Sequence, residues 1–164
     1  KALAQRCAVL NLLLVVLLAS LVVILIIILA ARPAISNGAC PDGWVGYRGK
    51  CYYFSESEAT WTDSQKNCSA HGASLAGIDS PQEMDFIRRY KDPSSRYWIG
   101  LRREPGQPWK WTNGTEFNSL FRVRGERQCA YLDDREVSSA RCYVEMHFIC
   151  SRPDECSRRK LSAA

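Results

Sequence analysis

Histidine is scarce in this 164-residue chain, which has only His71 and His147, and no serine sits in the glycine-framed setting of a strained nucleophile elbow. Catalysis needs converging groups of matched pKa and a nucleophile or a metal. The expectation is therefore a non-enzyme, with no catalytic residue and no cofactor. Charge of one sign is also lacking where it would matter. Residues 40–150 carry 15 Lys plus Arg against 15 Asp plus Glu, and the formal net charge of +5 arises outside them, from Lys1, Arg6, Arg32, Arg152, Arg158, Arg159 and Lys160 against Asp154 and Glu155. A neutral central region is not what a general nucleic-acid or heparin binder presents.

From 8 to 31 charge is missing altogether. "AVLNLLLVVLLASLVVILIIILAA" has only Asn11 and Ser20 as polar residues. A membrane-crossing helix needs ~20 predominantly apolar residues because it must match the hydrocarbon thickness while its backbone bonds internally. Small residues in "LAARPAIS" offer a place for a signal peptidase, but the run exceeds the ~15 residues of a cleaved apolar region. Lys1 and Arg6 precede the run and only Arg32 follows it closely, which leaves the N-terminus cytoplasmic. The expected organisation is a cytoplasmic fragment (1–6), a transmembrane signal-anchor (7–31), a stalk (32–39), an extracellular domain (40–151) and a basic tail (152–164). That is a single-pass type II protein of the cell membrane. The eight stalk residues reach about 28 Å at most at ~3.5 Å each, so the domain stays near the bilayer.

Eight cysteines suit an oxidising exterior. Cys7 lies at the cytoplasmic edge of the span, where a palmitoyl group or a plain thiol fits equally. Seven remain outside: Cys40, Cys51, Cys68, Cys129, Cys142, Cys150 and Cys156. An odd number leaves one free or paired with another chain. A zinc site from Cys142, His147 and Cys150 fits no paired-ligand spacing.

Along the outer part, "CPDGWVGYRGKCYYFS" carries turn residues at Pro41-Asp42-Gly43 and Arg48-Gly49 between aromatics, a hairpin leading into a strand. In "EATWTDSQKNCSAHG", Trp61, Ser64 and Cys68 share one helical face before the stop at Gly72. "SPQEMDFIRRY" begins a second helix. Ser80 caps it, Pro81 takes the first position, Glu83 completes a capping box by reaching back to the cap's N–H, and Met84, Ile87 and Tyr90 share a face. Asp92-Pro93 ends it. "RYWIGLR", "PWKWTNG", "QCAYLD", "RCYVE" and "HFICS" then read as short strands, giving an α+β plan.

Taken in order, "CYYFSESEATWTDSQKNCSAHGASLAGIDSPQEMDFI", "YWIGL", "WKWTNGTEF", "CAYL" and "FIC" resemble a C-type lectin-like domain across 40–150. The resemblance implies two helices, short antiparallel sheets and three intrachain disulfides, Cys40–Cys51, Cys68–Cys150 and Cys129–Cys142, out of the 15 pairings that six cysteines allow. "WIGLRREPGQPWKWTNGTEF", "CAYLDDREVSSARCY", "RYKDPSS" and the short stalk are similar to the lectin-like transcript and C-type lectin-related group, which are type II ligands of natural-killer-cell receptor protein 1 receptors. Cys156 departs from that pattern and makes an interchain bond conceivable. A homodimer is implied by the family.

Calcium-dependent sugar binding in such a domain needs a cage of acid and amide oxygens, since calcium takes six to eight. Where a Trp-Asn-Asp triplet would stand, the chain reads Val137-Ser138-Ser139, and "NSLFRVRGERQ" holds no Glu-Pro-Asn but does hold Arg122, Arg124 and Arg127. "REPG" and "QP" precede "WKW", on the wrong side of that strand. No metal is expected. Asp133 and Asp134 read as solvated turn acids. The resemblance instead implies a protein-binding face with Tyr131, Asp133, Arg135, Arg141, Met146 and His147 as contacts to a lectin-like receptor on another cell. A receptor of the same fold and a carbohydrate-binding lectin are the alternatives. Glycans are expected at Asn67 ("NCS") and Asn113 ("NGT").

Overall fold

The computed structural model describes residues 2–30 and 40–162, with side chains described over 10–26 and 40–159. The stalk at 32–39 and the side chain of Cys7 lie outside the described residues. The chain divides into two units, Lys1–Asn37 and Gly38–Ala164. In the first, α1 (Ala2–Ala30) is a helix of 29 residues. Every described side chain on it is exposed, and Ser20 satisfies its hydroxyl on the carbonyl of Leu17 at 2.8 Å. Among residues 10–26, the part of α1 whose side chains are described, no helix is long and apolar enough to cross a membrane.

In the second unit, β1 (Val45–Tyr47) and β2 (Lys50–Phe54) form the expected hairpin. They turn at Arg48 and Gly49, both at positive φ. Helix α2 (Trp61–Ala70) buries Trp61, Ser64 and Cys68, the face read from the sequence. Strand β3 (Ser74–Leu75) precedes α3 (Pro81–Tyr90). Strands β4 (Tyr97–Arg102), β5 (Lys110–Trp111), β6 (Val123–Arg124), β7 (Cys129–Leu132), β8 (Val137–Ala140) and β9 (His147–Pro153) follow. The order across the sheet is β1-β2-β9-β4-β7-β8-β6, with β3 on β9 and β5 on β4.

The sheet is mixed rather than wholly antiparallel, because β4 runs parallel to β9 and β6 parallel to β8. β9 continues to Pro153, past the expected domain end at 151. Within the stretch read as a basic tail, Glu155–Ser162 form the helix α4. It starts where the Asp154 carboxylate accepts from the Ser157 N–H at 2.6 Å.

Strand alternation divides the core in two. Tyr97, Ile99, Leu101, Leu132, Val137 and Ile149 pack with Met84 and Ile87 of α3. Trp98, Cys129, Phe148 and Cys150 pack with Trp61 and Cys68 of α2. Position 100 of β4 is a glycine because a Cβ there would meet the Leu75 carbonyl oxygen at 2.4 Å. All three implied disulfides are present. Cys68–Cys150 spans 82 residues, a closure that stabilises by about 4.5 kcal/mol in the chain-entropy model.

At the start of α3 the capping box is only half as expected. Ser80 Oγ accepts from the Glu83 N–H at 3.2 Å, but Glu83 Oε2 reaches the N–H of Asp79 at 2.8 Å instead of that of Ser80. Its other oxygen bonds the Tyr52 hydroxyl and Lys50 Nζ, the latter at 2.8 Å. A deeper partner thus draws the carboxylate inward. Tyr90, expected on the buried face with Met84 and Ile87, is 54% exposed.

Candidate functional site

Hairpin β7–β8 places the first candidate residues, with Leu132 opposite Val137 and Tyr131 opposite Ser138. Its turn is built by Asp133, whose Oδ1 accepts from the N–H groups of Arg135 at 2.9 Å and Glu136 at 2.8 Å. The carboxylate is therefore engaged in the turn, which is why an Asp suits that position. Asp134 and Arg135 are exposed. Arg88 of α3 donates to the Arg135 carbonyl at 3.2 Å, tying the turn to the helix. Beside it, the Asp92 carboxylate accepts from the Ser94 N–H and from the hydroxyls of Ser94 and Ser95. The backbone bond leads in holding its pKa below the usual carboxylate value. An open polar cleft of about 510 Å³ lies here, walled by Ser94, Arg96, Arg124, Asp133, Arg135 and Glu136.

Tyr131 is half-buried. Its ring meets Trp98 edge-on at 6.0 Å, and the Arg96 guanidinium lies 5.8 Å from its centroid. The segment "RCYVE", read as a strand, is a turn closed by the Val144 N–H on the Arg141 carbonyl at 3.1 Å. Cys129–Cys142 anchors it to β7. A turn frees both neighbours of Cys142. Arg141 is exposed, and so is Tyr143, at 66%. Tyr143 went unnoticed in the sequence because strand alternation assigned it no special exposure. Its position beside a stapled cysteine in a polar run was the available signal.

Two candidates do not join this group. Met146 is 2% exposed and exchanges backbone hydrogen bonds with Ala59. Its side chain belongs to the α2-side core and cannot be a contact. His147 pairs in register with Tyr97, whereas Tyr131 pairs with Trp98. Adjacent strand positions point to opposite faces, so His147 and Tyr131 leave the sheet on different sides. The His147 ring lies 5.3 Å from Tyr97, its Nδ1 meets the Ser55 carbonyl at 3.1 Å, and its Nε2 lies 3.8 Å from Glu58 Oε1. The structure therefore puts Asp133 and Arg135 at the turn end of hairpin β7–β8 and Arg141 with Tyr143 at its Cys129 end, Tyr131 lying on the strand between them, and sets His147 apart.

For a metal, Val137 is buried in the core and cannot supply a ligand. Among the described residues no three His, Cys, Asp or Glu side chains converge. Asn113 is exposed, and its Oδ1 accepts from the Thr115 hydroxyl at 2.7 Å and N–H at 3.0 Å. Asn67 is exposed on α2. Cys156 is a free, exposed thiol.

The lectin C-type domain model matches residues 57–152. The human C-type lectin domain family 2 member D is 52% identical over 116 residues, covering 71% of this chain and 60% of that protein. Human early activation antigen CD69 is 47% identical over 115 residues, covering 70% and 57%. Human C-type lectin domain family 2 member B is 44% identical over 117 residues, covering 71% and 78%. The chain thus spans about three fifths of the length of the first two. Among solved structures, the C-type lectin domain of murine dendritic cell inhibitory receptor 2 in complex with N-glycan superposes with a TM-score of 0.66 at 27% identity, covering 70% of this chain and 98% of that one.

Proposed function

The chain belongs to the C-type lectin domain family, and on that footing we propose that it is a cell-surface ligand for a natural-killer-type lectin-like receptor on another cell. The proposal includes a type II arrangement, with 7–31 as the membrane span, the domain outside and two copies forming a homodimer. Recognition is of protein and needs neither calcium nor sugar. The observation that carries this reading is the exposed Arg141–Tyr143 pair held next to the Cys129–Cys142 disulfide, at the end of hairpin β7–β8 opposite the Asp133–Arg135 turn. Tyrosine and arginine on a rigid base are what protein hot spots use, and the mixed charges supply register and discrimination.

A receptor role for the same fold is the second reading, favoured by the likeness to an inhibitory receptor's lectin domain. The N-glycan bound to that lectin domain is what supports a carbohydrate reading. Surface plasmon resonance of this protein against a panel of natural-killer lectin-like receptor ectodomains, with calcium or with chelator, separates the three. Saturable binding to one receptor that chelator leaves unchanged is the expected result. Retention on mannose or galactose resin that chelation abolishes, with no receptor bound, would overturn it.

A further inference from the structure

We infer that Arg103 and Ser139 are positioning residues that order the segment 122–128 beside the candidate face without a metal ion. The inference rests on reading that face as a protein-recognition surface. Three carbonyl oxygens of this segment converge on these two side chains. Ser139 Oγ donates to the Arg124 carbonyl at 2.9 Å and accepts from the Arg127 N–H at 3.1 Å. Arg103 Nε donates to the Arg127 carbonyl at 3.1 Å and its Nη2 to that of Gly125 at 3.2 Å. The Arg103 backbone N–H adds a bond to the Gln128 carbonyl at 2.9 Å.

A guanidinium suits this work because its donors are fixed in one plane and its charge strengthens each bond to a carbonyl. Trp109 holds it in place, with the ring centroid 4.5 Å from Cζ. Gly125 makes the close approach feasible. Its φ is +83°, and a Cβ there would lie 2.7 Å from Ser139 Oγ. The segment is thus drawn onto β8, where β6 pairs in parallel, Arg124 opposite Ser138. Arg124 then reaches Glu136, Nε to Oε2 at 2.6 Å, and forms one wall of the polar cleft. Backbone oxygens of the kind a calcium ion draws together are here already taken up by a fixed cation and a hydroxyl, so the cleft wall is set before any partner arrives.

Hydrogen exchange of the whole chain in detergent, followed on peptides covering 122–128 and on β4 as a reference, tests this with millimolar calcium or with chelator. The expected wild-type exchange over 122–128 is the same in both. Ser139→Ala and Arg103→Ala each accelerate it by about tenfold. Arg103→Lys, which keeps the charge but loses the fork, recovers only part, and β4 stays unchanged throughout. Slower wild-type exchange in calcium would overturn the inference. So would an unchanged loop in Ser139→Ala, or an acceleration as large in β4 as in the loop. No receptor enters the measurement, so this result and the outcome of the receptor screen fail independently.

Discussion

Arg141 donates from Nη1 to the phenolic oxygen of Tyr143 at 2.7 Å, and its guanidinium lies 5.9 Å from the centroid of the same ring. The arginine braces the tyrosine along a turn that projects into solvent. Bracing lowers the entropy a partner would have to remove on binding, which is how a single exposed aromatic becomes an anchor.

Tyr143→Ala is accordingly expected to weaken receptor binding by about tenfold or more, with thermal stability unchanged. Met146→Ala should do the reverse, costing about 2–5 kcal/mol of stability through the cavity it leaves. Affinity by surface plasmon resonance and melting by circular dichroism check both. Full affinity in Tyr143→Ala would remove Tyr143 from the contact set.

Glu83 is buried and holds Lys50 Nζ at 2.8 Å, the Tyr52 hydroxyl and the Asp79 N–H. Glu83→Ala strands these partners and is expected to destabilise the domain by about 3 kcal/mol. Glu83→Gln, which retains one acceptor oxygen, should cost less. Urea unfolding of the two variants measures the difference. Equal losses would mean that packing, rather than the charge, is what Glu83 contributes.

The same cluster makes stability fall at alkaline pH. Burial pushes the Tyr52 hydroxyl up from 10.0, reinforced by its bond to Glu83. For Lys50 burial works in the opposite direction, but bonds to Asp79 and Glu83 outweigh it and raise the ammonium above 10.5. Both groups hold their protons more firmly when folded, so their contribution is complete below the unfolded values and is lost as pH rises past them. Urea midpoints should be flat from about pH 7 to 9 and drop above about 10. A midpoint that holds through pH 11 would sink the assignment.

Asn113 stands in an exposed turn with the Thr115 hydroxyl already on its side-chain oxygen. Asn113→Gln in protein expressed through the mammalian secretory pathway should remove one glycan's mass, and glycosidase treatment of the wild type should yield Asp at 113. Absence of any mass change would place the turn out of the transferase's reach.

Helices α2 and α3 were legible because each is fixed by local chemistry, whereas α4 was read only as a basic tail. Trp61, Ser64 and Cys68 recur at helical spacing, and Ser80-Pro81 starts α3 by a cap and a preset φ. "YWIGL" was legible as a strand, as were the paired cysteines once the resemblance named their order. Less was legible where short polar segments choose a partner far away in the chain. "VSSA" becomes β8 because β7 lies beside it, and β6 exists only through β8.

The sequence by itself therefore determined the apolar N-terminal run, the α+β domain and the residue types on the hairpin that follows Cys129. Tertiary structure decided which of those residues stand together. It buried Met146 against α2, sent His147 to the other side of the sheet from Tyr131, and exposed Tyr143 by turning the chain at Cys142. It also bent Glu83 toward Tyr52 and Lys50, and closed Arg103 and Ser139 on the carbonyls of 124–127. The physical reason is the same in each case. Side-chain identity and local spacing set what a residue can do, but a strand's register and the direction of a turn depend on partners tens of residues away, and one position of register moves a side chain to the opposite face.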